Sequence, residues 1–210
     1  MSIEAIERGF VWKLHVIKRQ SMTAFKLILG SLAIHRWVRV ADNHITHMSD
    51  EALKDVLRLY NENFPEINEK RFTMYARSFK KTTYVYKDND EVKGYCLYYV
   101  TSPLSSLGLK KTATLYSFTV DSRCRGQGIG TNLLQNSIHE MRLNRIDRIK
   151  LYVDSDNIAA INLYQKVGFE VKEEVMDICG LGKKCYEMEI KFDKKSQAGS
   201  DLSGNPFMVT

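Results

Sequence analysis

The N-terminal third of the chain has the hydrophobic pattern of helices. Apolar residues recur every three or four positions over residues 2–32, with charged residues between them, which predicts an amphipathic helix. A second helix is predicted to begin at Ser49, a favourable capping residue, and to end at Pro65, and a third covers residues 67–80. Between the first two helices, residues 35–40 have a strand-like pattern and predict a short strand.

The pattern changes from helices to strands after residue 80. Further strands are predicted over residues 82–86, 92–100, 112–120, 149–153, 169–175 and 184–192. The polar turn at residues 87–90 makes the first two of these a β-hairpin. Helices are predicted from Ile129 onward and over residues 157–167.

These elements divide the chain into three regions. We expect a mixed α/β domain over residues 35–192, preceded by a helical extension over residues 1–34. The tail over residues 193–210 is rich in Ser and Gly and is expected to be unstructured.

Composition indicates an ordinary globular protein. The 210 residues are 44% hydrophobic and 27% charged, which excludes a disordered chain or a fibre.

The longest uncharged run near the N-terminus, residues 27–34, is far shorter than the ~20 residues of a membrane span, so we expect no transmembrane helix. Charges scattered among the first thirty residues argue against a secretory signal. The four cysteines lack C-x-x-C spacing and are expected to be reduced thiols of a cytoplasmic protein.

The basic excess is concentrated near the N-terminus. Residues 1–40 contain seven Lys/Arg and two Asp/Glu, a net charge of +5, whereas the remaining 170 residues contain 24 and 23, a net charge of +1. Because the main domain is nearly neutral, we expect no nucleic-acid partner. The N-terminal helix has two interpretations, which the sequence leaves open. It packs on the domain or on a second subunit of a homodimer, or it binds an anionic membrane surface or an acidic partner.

One strand–turn–helix junction carries candidate chemistry. The strand over residues 112–120 leads into a turn with Gly126, Gly128 and Gly130, and a helix follows. Unpaired backbone N–H groups at a helix start, together with the helix dipole, suit a diphosphate, and Arg125 adds a full positive charge. A kinase-type P-loop is excluded because Gly130 is not followed by Lys, and the order of the glycines disfavours a dinucleotide-binding turn.

Residues 125–130 have the form Q/R-x-x-G-x-G/A, and residues 157–169 have the form N-x-x-A-x-x-L-Y-x-K-x-G-F. Together these two motifs resemble those of the GCN5-related N-acetyltransferase (GNAT) superfamily, which they match at every defined position. The resemblance covers residues 35–192. It implies a mixed, mostly antiparallel sheet of six or seven strands with helices on both faces. It also implies acetyl-coenzyme A (acetyl-CoA) as cosubstrate, no metal, and acetyl transfer to a primary amine.

The resemblance also assigns roles to residues. The fourth strand would pair its backbone with the pantetheine arm, Asn157 would contact that arm, and Tyr164 would protonate the leaving thiolate as general acid. The predicted backbone contacts to pantetheine are Phe118, Thr119 and Val120. The predicted pyrophosphate site comprises Arg125, Gly126, Gln127, Gly128, Ile129, Gly130 and Thr131.

Several alternatives remain open at this level. Relatives with a strong base carry a Glu on the fourth strand, where Thr112 stands here, so either a water chain or a carboxylate such as Asp154 or Asp156 would remove the amine proton. Tyr164 could instead only pack in the core, and Asn157 could serve only as a helix cap. The acceptor is a protein N-terminus, a lysine or a small-molecule amine. A non-catalytic acyl-CoA-binding module is the alternative function.

Overall fold

The computed structural model describes residues 29–32, 34–64, 68–101 and 110–192. Apart from residues 29–32, which are helical, the predicted N-terminal helix lies outside the described residues, and so does the predicted tail. The strands are β1 (Ile45–His47), β2 (Thr83–Asp88), β3 (Glu91–Thr101), β4 (Thr112–Val120), β5 (Arg148–Asp154), β6 (Glu170–Met176) and β7 (Lys184–Lys191). The longer helices are α1 (Ala52–Asn63), α2 (Glu69–Ser78), α3 (Ile129–Leu143) and α4 (Ile158–Lys166), and short 3₁₀ helices cover Lys80–Thr82 and Ser122–Cys124.

The strands form one mixed sheet in the order β1-β2-β3-β4-β5-β7-β6. Strands β4 and β5 are parallel, and the other neighbouring strands are antiparallel. The parallel pair is joined by α3, since a parallel connection needs a crossover. The predicted mostly antiparallel sheet of six or seven strands is confirmed.

Local signals start the helices where the sequence predicts. The Ser49 hydroxyl accepts a hydrogen bond from the backbone N–H of Ala52 at 3.1 Å, so it satisfies one of the unpaired amides that open α1. The Asn68 side chain accepts a hydrogen bond from the N–H of Arg71 at 3.0 Å and caps α2 in the same way. Both helices then bury their apolar faces against the sheet.

Helices cover both faces of the sheet. The Tyr98 hydroxyl lies 2.8 Å from Ser137 Oγ of α3. The next residue, Tyr99, places its ring 5.4 Å from the Tyr75 ring of α2. Because successive side chains of a strand point to opposite faces, these contacts define an α1/α2 face and an α3/α4 face. The core between the layers is rich in aromatic side chains. The largest fully buried rings are Tyr60, Tyr84, Tyr95, Tyr98, Phe72, Phe79 and Phe169.

The predicted strand over residues 35–40 is wrong. This segment instead bonds to the side chain of Asn144, the residue that follows α3: the Val38 N–H donates to Asn144 Oδ1 at 2.7 Å, and Asn144 Nδ2 donates to the Val38 carbonyl at 2.8 Å. An extended segment needs partners for its backbone groups, and here polar side chains supply them instead of a neighbouring strand. The first strand of the sheet is β1, which begins at Ile45.

The expectation of four reduced thiols is also wrong for one pair. Cys179 and Cys185 form a disulfide, with their Cα atoms 6.2 Å apart. Cys185 lies on β7 and Cys179 in the turn that leads to it, so the β6–β7 hairpin brings them together without a recognisable sequence motif. Cys96 and Cys124 are free.

Among the described residues, no helix is both long and apolar enough to cross a membrane.

Candidate active site

The centre of the sheet opens between its two parallel strands. Strand β4 pairs with β5 only over Thr112–Thr114 and Arg148–Lys150, yet its other edge stays paired with β3 as far as Val120. The two strands therefore diverge beyond Thr114 and Lys150. Among the described residues, no strand lies on the β5 side of the second half of β4. We call this space the β4–β5 opening.

Backbone groups of β4 point into this opening. The Asp121 N–H donates to the Lys93 carbonyl at 2.8 Å, so residues 121 and 93 form a hydrogen-bonded pair. Pairs alternate along an antiparallel ladder, so Thr119 bonds toward β3, while Phe118 and Val120 direct their N–H and C=O groups toward β5. Of the three residues predicted to contact pantetheine, Phe118 and Val120 thus offer backbone bonds on the open side.

The glycine-rich turn lies at the end of β4 and opens α3. Gly126 and Gly128 have φ angles of 78° and 82°, the left-handed region that favours glycine. Gly128 is the residue before α3, and the turn from Arg125 to Gly128 is exposed. The first amides of α3 have no partner within the helix, and the exposed turn brings them to the end of β4 beside the β4–β5 opening, which is the geometry that binds a diphosphate.

Gly130 has a different role from the other two glycines. A Cβ at this position would lie 3.0 Å from the ring of Phe118 and 3.3 Å from Leu163. The missing side chain lets the first turn of α3 pack closely against β4 and α4. The glycine keeps the amides of the turn near the opening.

Ion pairs fix the turn between β4 and α3. Asp121, which is 1% exposed, accepts hydrogen bonds from the N–H of Arg123 at 3.0 Å and from its guanidinium at 2.7 Å. These hydrogen bonds outweigh burial and hold the pKa of Asp121 below its usual range. The Arg125 guanidinium donates to Asn63 Oδ1 at 2.7 Å and to the Val120 carbonyl at 3.3 Å. Arg125 thus links the turn to the end of α1.

Helix α4 carries the other two predicted site residues. Asn157 Oδ1 accepts the N–H of Ala160 at 3.1 Å, so Asn157 caps the helix, and its side chain remains exposed. Tyr164 is 8% exposed, with its ring between those of Phe118 (6.2 Å) and Phe169 (5.8 Å). Burial raises the pKa of Tyr164, so its hydroxyl keeps its proton at neutral pH.

The carboxylates suggested as bases lie at the end of β5 and in the turn that follows it. Asp154 accepts a hydrogen bond from Lys183 Nζ at 2.8 Å and one from the Asp156 N–H at 3.0 Å. Both lower the pKa of Asp154, which makes it a weaker base. Asp156 lies in the exposed turn before α4. Thr112 accepts a hydrogen bond from Arg148 Nε at 3.1 Å, at the closed end of the opening.

A polar cluster that the sequence analysis missed lies where β4 and β5 begin to diverge. Lys150 Nζ donates to the Tyr152 hydroxyl at 2.9 Å and lies 3.5 Å from Glu187 Oε2. Burial and a hydrogen bond with Glu187 raise the pKa of Tyr152 despite the nearby ammonium group. The signal in the sequence is only Lys-x-Tyr on β5, because Glu187 joins the cluster through the β5–β7 register.

Three tyrosine rings in mutual contact, Tyr75, Tyr99 and Tyr116, lie on the α1/α2 face, and we call them the tyrosine wall. The Tyr116 ring stacks on Tyr75 at 4.7 Å with an angle of 4° between planes, and Tyr99 contacts both rings edge-on. Nearby, the Tyr60 hydroxyl is buried and has no hydrogen-bond partner among the described residues.

Among the residues that the structure describes, no cluster of three or more His, Cys, Asp or Glu side chains could hold a metal ion.

The family model for the acetyltransferase (GNAT) family matches residues 50–169, which include both motifs. The chain therefore belongs to the GNAT family.

Comparison with curated proteins gives partial matches. A mycothiol acetyltransferase from Corynebacterium glutamicum is 37% identical over 59 residues, which is 28% of this chain and 20% of that protein. The chain thus spans about a fifth of that relative's length. An uncharacterized N-acetyltransferase from Methanocaldococcus jannaschii is 27% identical over 179 residues, which cover 76% of this chain and 77% of that protein.

Solved structures support the fold. Arabidopsis thaliana Naa50, solved in complex with the bisubstrate analogue CoA-Ac-MVNAL, superposes with a TM-score of 0.63 at 23% identity. The match covers 70% of this chain and 97% of Naa50. At this level of identity the similarity establishes the shared architecture.

Proposed function

We propose that this protein transfers the acetyl group of acetyl-CoA to a primary amine by direct attack of the amine on the thioester. The observation that carries the proposal is the β4–β5 opening, with the backbone groups of Phe118 and the N–H of Val120 directed into it from one side and the turn of residues 125–131 at its end. An extended pantetheine arm can pair with β4 as an added strand, while the amides of the turn hold the pyrophosphate.

The residues around the opening can serve the chemistry of acetyl transfer. The Val120 N–H is directed so that it can polarise the thioester carbonyl and stabilise the oxyanion of the tetrahedral intermediate. Tyr164 is proposed as the general acid that protonates the departing thiolate. Asn157 can contact the pantetheine arm with its exposed side chain while it caps α4. Arg125 would turn from Asn63 toward the pyrophosphate.

Residues 35–192 are proposed to form the catalytic domain. Among acceptors, we favour a peptide amine, because Naa50 was solved with an analogue that joins CoA to a peptide. The acceptor would approach from the α1/α2 face, where the tyrosine wall and the cluster around Tyr152 border the opening.

An acetyl-transfer assay tests this proposal. Release of CoA is read with a thiol reagent for three acceptor classes: peptides with a free N-terminus, N-terminally blocked peptides that contain lysine, and small amines. A blank without acceptor corrects for the protein's own thiols. We expect turnover with at least one class, and a rise in melting temperature with acetyl-CoA that reflects ~2.7 kcal/mol at 100 times the dissociation constant.

Two other results would redirect the assignment. Binding of acetyl-CoA without turnover on any amine would support the non-catalytic module. No binding at all would remove the basis of the proposal.

A further inference from the structure

A carboxylate, a hydroxyl and an ammonium group meet at the base of the β4–β5 opening. Lys150 is the last residue of β5 that pairs with β4, and Tyr152 is the next residue on the same face. If the β4–β5 pairing continued, Tyr152 would face Tyr116. Instead β5 keeps only its other neighbour, which places Glu187 of β7 directly opposite Tyr152. The cluster therefore begins where the sheet opens.

The cluster lies on the α1/α2 face, away from the helix that carries Tyr164. Tyr99 points to α2, and it pairs with Thr114, which in turn pairs with Lys150. Residues opposite each other in register share a face, so Lys150, and with it Tyr152, shares the face of Tyr99. A thioester in the opening would have Tyr164 on one side of the sheet and this cluster on the other.

From this placement we infer that Glu187, acting through the Tyr152 hydroxyl, is the general base that takes the proton from the acceptor amine. The inference rests on the proposed function. A tyrosine hydroxyl has one proton to donate and two lone pairs. Lys150 Nζ donates to one lone pair at 2.9 Å. Glu187 lies directly opposite Tyr152 on β7, with its Oε2 3.5 Å from the same Lys150 Nζ, and is placed to take the hydroxyl proton. The second lone pair can accept an N–H of the amine.

The proton count balances along this path. The acceptor enters largely as an ammonium ion, which cannot attack a carbonyl until it loses a proton. One N–H proton moves to the Tyr152 oxygen while the Tyr152 proton moves to a Glu187 oxygen. The amine is then neutral, Glu187 carries the proton, and the amine lone pair forms the bond to the thioester carbon. As the tetrahedral intermediate collapses, the carbon–sulfur bond breaks, Tyr164 gives its proton to the departing thiolate, and the second proton of the acylated nitrogen passes through solvent to Tyr164. The Glu187 side chain is 12% exposed and can return the proton to water.

Charged groups from each neighbouring strand surround the base. Lys150 comes from β5, and Glu173 of β6 lies directly opposite Glu187. The next carboxylate on β7, Glu189, shares the face but bonds to Lys191 at 2.9 Å and lies 3.8 Å from Arg148. The titratable hydroxyls of Tyr99 and Tyr116 and the guanidinium of Arg71 face the site from β3, β4 and α2.

Glu189 offers a matched control for the test of this inference. It lies two residues from Glu187 on the same strand and face, is similarly buried, and pairs opposite Lys150 in the closed part of the sheet. We compare Glu187→Gln, Tyr152→Phe and Glu189→Gln in steady-state kinetics from pH 6 to 10, with the acceptor class found active.

Glu187→Gln and Tyr152→Phe are expected to lower kcat at neutral pH by about 10²-fold or more, with partial recovery at high pH where solvent deprotonates the amine. Glu189→Gln is expected to stay near wild type. The acetyl-CoA thermal shift should persist in all three variants, which shows that they fold and bind coenzyme. The double variant Glu187→Gln/Tyr152→Phe should lose no more activity than the more strongly impaired of the two single variants, because both residues lie on one proton path.

Wild-type kcat at pH 7 in Glu187→Gln, or an equal loss in Glu189→Gln, would overturn the inference while the proposed function stands. A wild-type enzyme without turnover on any amine would overturn both. If one variant fails to fold, the other decides the outcome.

Discussion

Trp37 donates a hydrogen bond from its indole Nε1 to Glu140 Oε2 at 2.9 Å, across 103 positions of the chain. Glu140 is 1% exposed and also accepts hydrogen bonds from the Val40 N–H (2.8 Å) and the Tyr84 hydroxyl (3.0 Å), while His47 Nε2 lies 3.3 Å away. One buried carboxylate thus joins α3, two strands and the segment that leads into the domain. A buried charge of this kind is tolerated only because its partners satisfy it.

Glu140→Gln should therefore destabilise the fold. The amide keeps the volume of the side chain but loses the charge, and one of its two ends cannot accept the existing donors, so we expect a loss of about 2–3 kcal/mol in the free energy of unfolding. Urea denaturation measures it. The matched control is Glu62→Gln on α1, whose half-exposed carboxylate pairs with Arg58 and should contribute less than about 0.5 kcal/mol. Equal effects in both variants would contradict this account.

The effect of Glu140 should also depend on pH. Burial raises the pKa of Glu140, but hydrogen bonds from His47, Val40 and Trp37 outweigh it and leave the pKa below its usual value. A carboxylate with a depressed folded-state pKa stabilises the fold above the unfolded pKa of about 4.3, and this stabilisation is lost as the pH falls through the folded value. The stability difference between wild type and Glu140→Gln should shrink when denaturation is repeated near pH 3, and a constant difference would disprove the linkage.

Gly128→Ala should weaken the coenzyme site through the backbone. No atom of the described residues lies within 4 Å of a Cβ at this position, but its φ of 82° costs a non-glycine residue about 1–2 kcal/mol. Gly182 in the β6–β7 turn has the same open surroundings and a φ of 74°, so Gly182→Ala is the matched control. Both variants should lose similar stability, whereas only Gly128→Ala should reduce the thermal shift with acetyl-CoA. An undiminished shift would place coenzyme elsewhere.

Tyr164→Phe distinguishes catalysis from packing. The ring stays between Phe118 and Phe169, so the melting temperature should change little, while loss of the hydroxyl should lower kcat by about 10²-fold. Tyr86→Phe, on β2 with its ring against His44, serves as control and should keep its rate. If Tyr164→Phe turns over at the wild-type rate, the tyrosine only packs.

The four cysteines should differ in their reactivity toward a thiol reagent. Native protein should expose one reactive thiol, Cys124, which is partly exposed, because Cys96 is buried and Cys179 is bonded to Cys185. Thiol titration after denaturation should count two thiols without reductant and four with it. Four thiols without reductant would show that the pair is reduced.

Most of the secondary structure followed from local signals. The spacing of apolar residues predicted the helices, and the polar turn predicted the β2–β3 hairpin, in which Asn89 and Asp90 both have positive φ angles of 49° and 62°. The prediction of a strand over residues 35–40 was wrong because any half-buried extended segment can show the same pattern of residues. Only the position of Glu140 on α3 and of Asn144 just after it decided that this segment bonds to side chains.

By itself, the sequence determined the family, the order of the elements and the glycine turn, because these depend on residues close together in the chain. Tertiary structure decided where β4 and β5 diverge, which amides of β4 are left free, and which carboxylate meets Tyr152. Glu187 and Tyr152 are 35 positions apart, and the cysteine pair depends on a hairpin. The register in which the strands pair brings the members of each pair together. Because this register arises from long-range packing, no local sequence pattern reveals it.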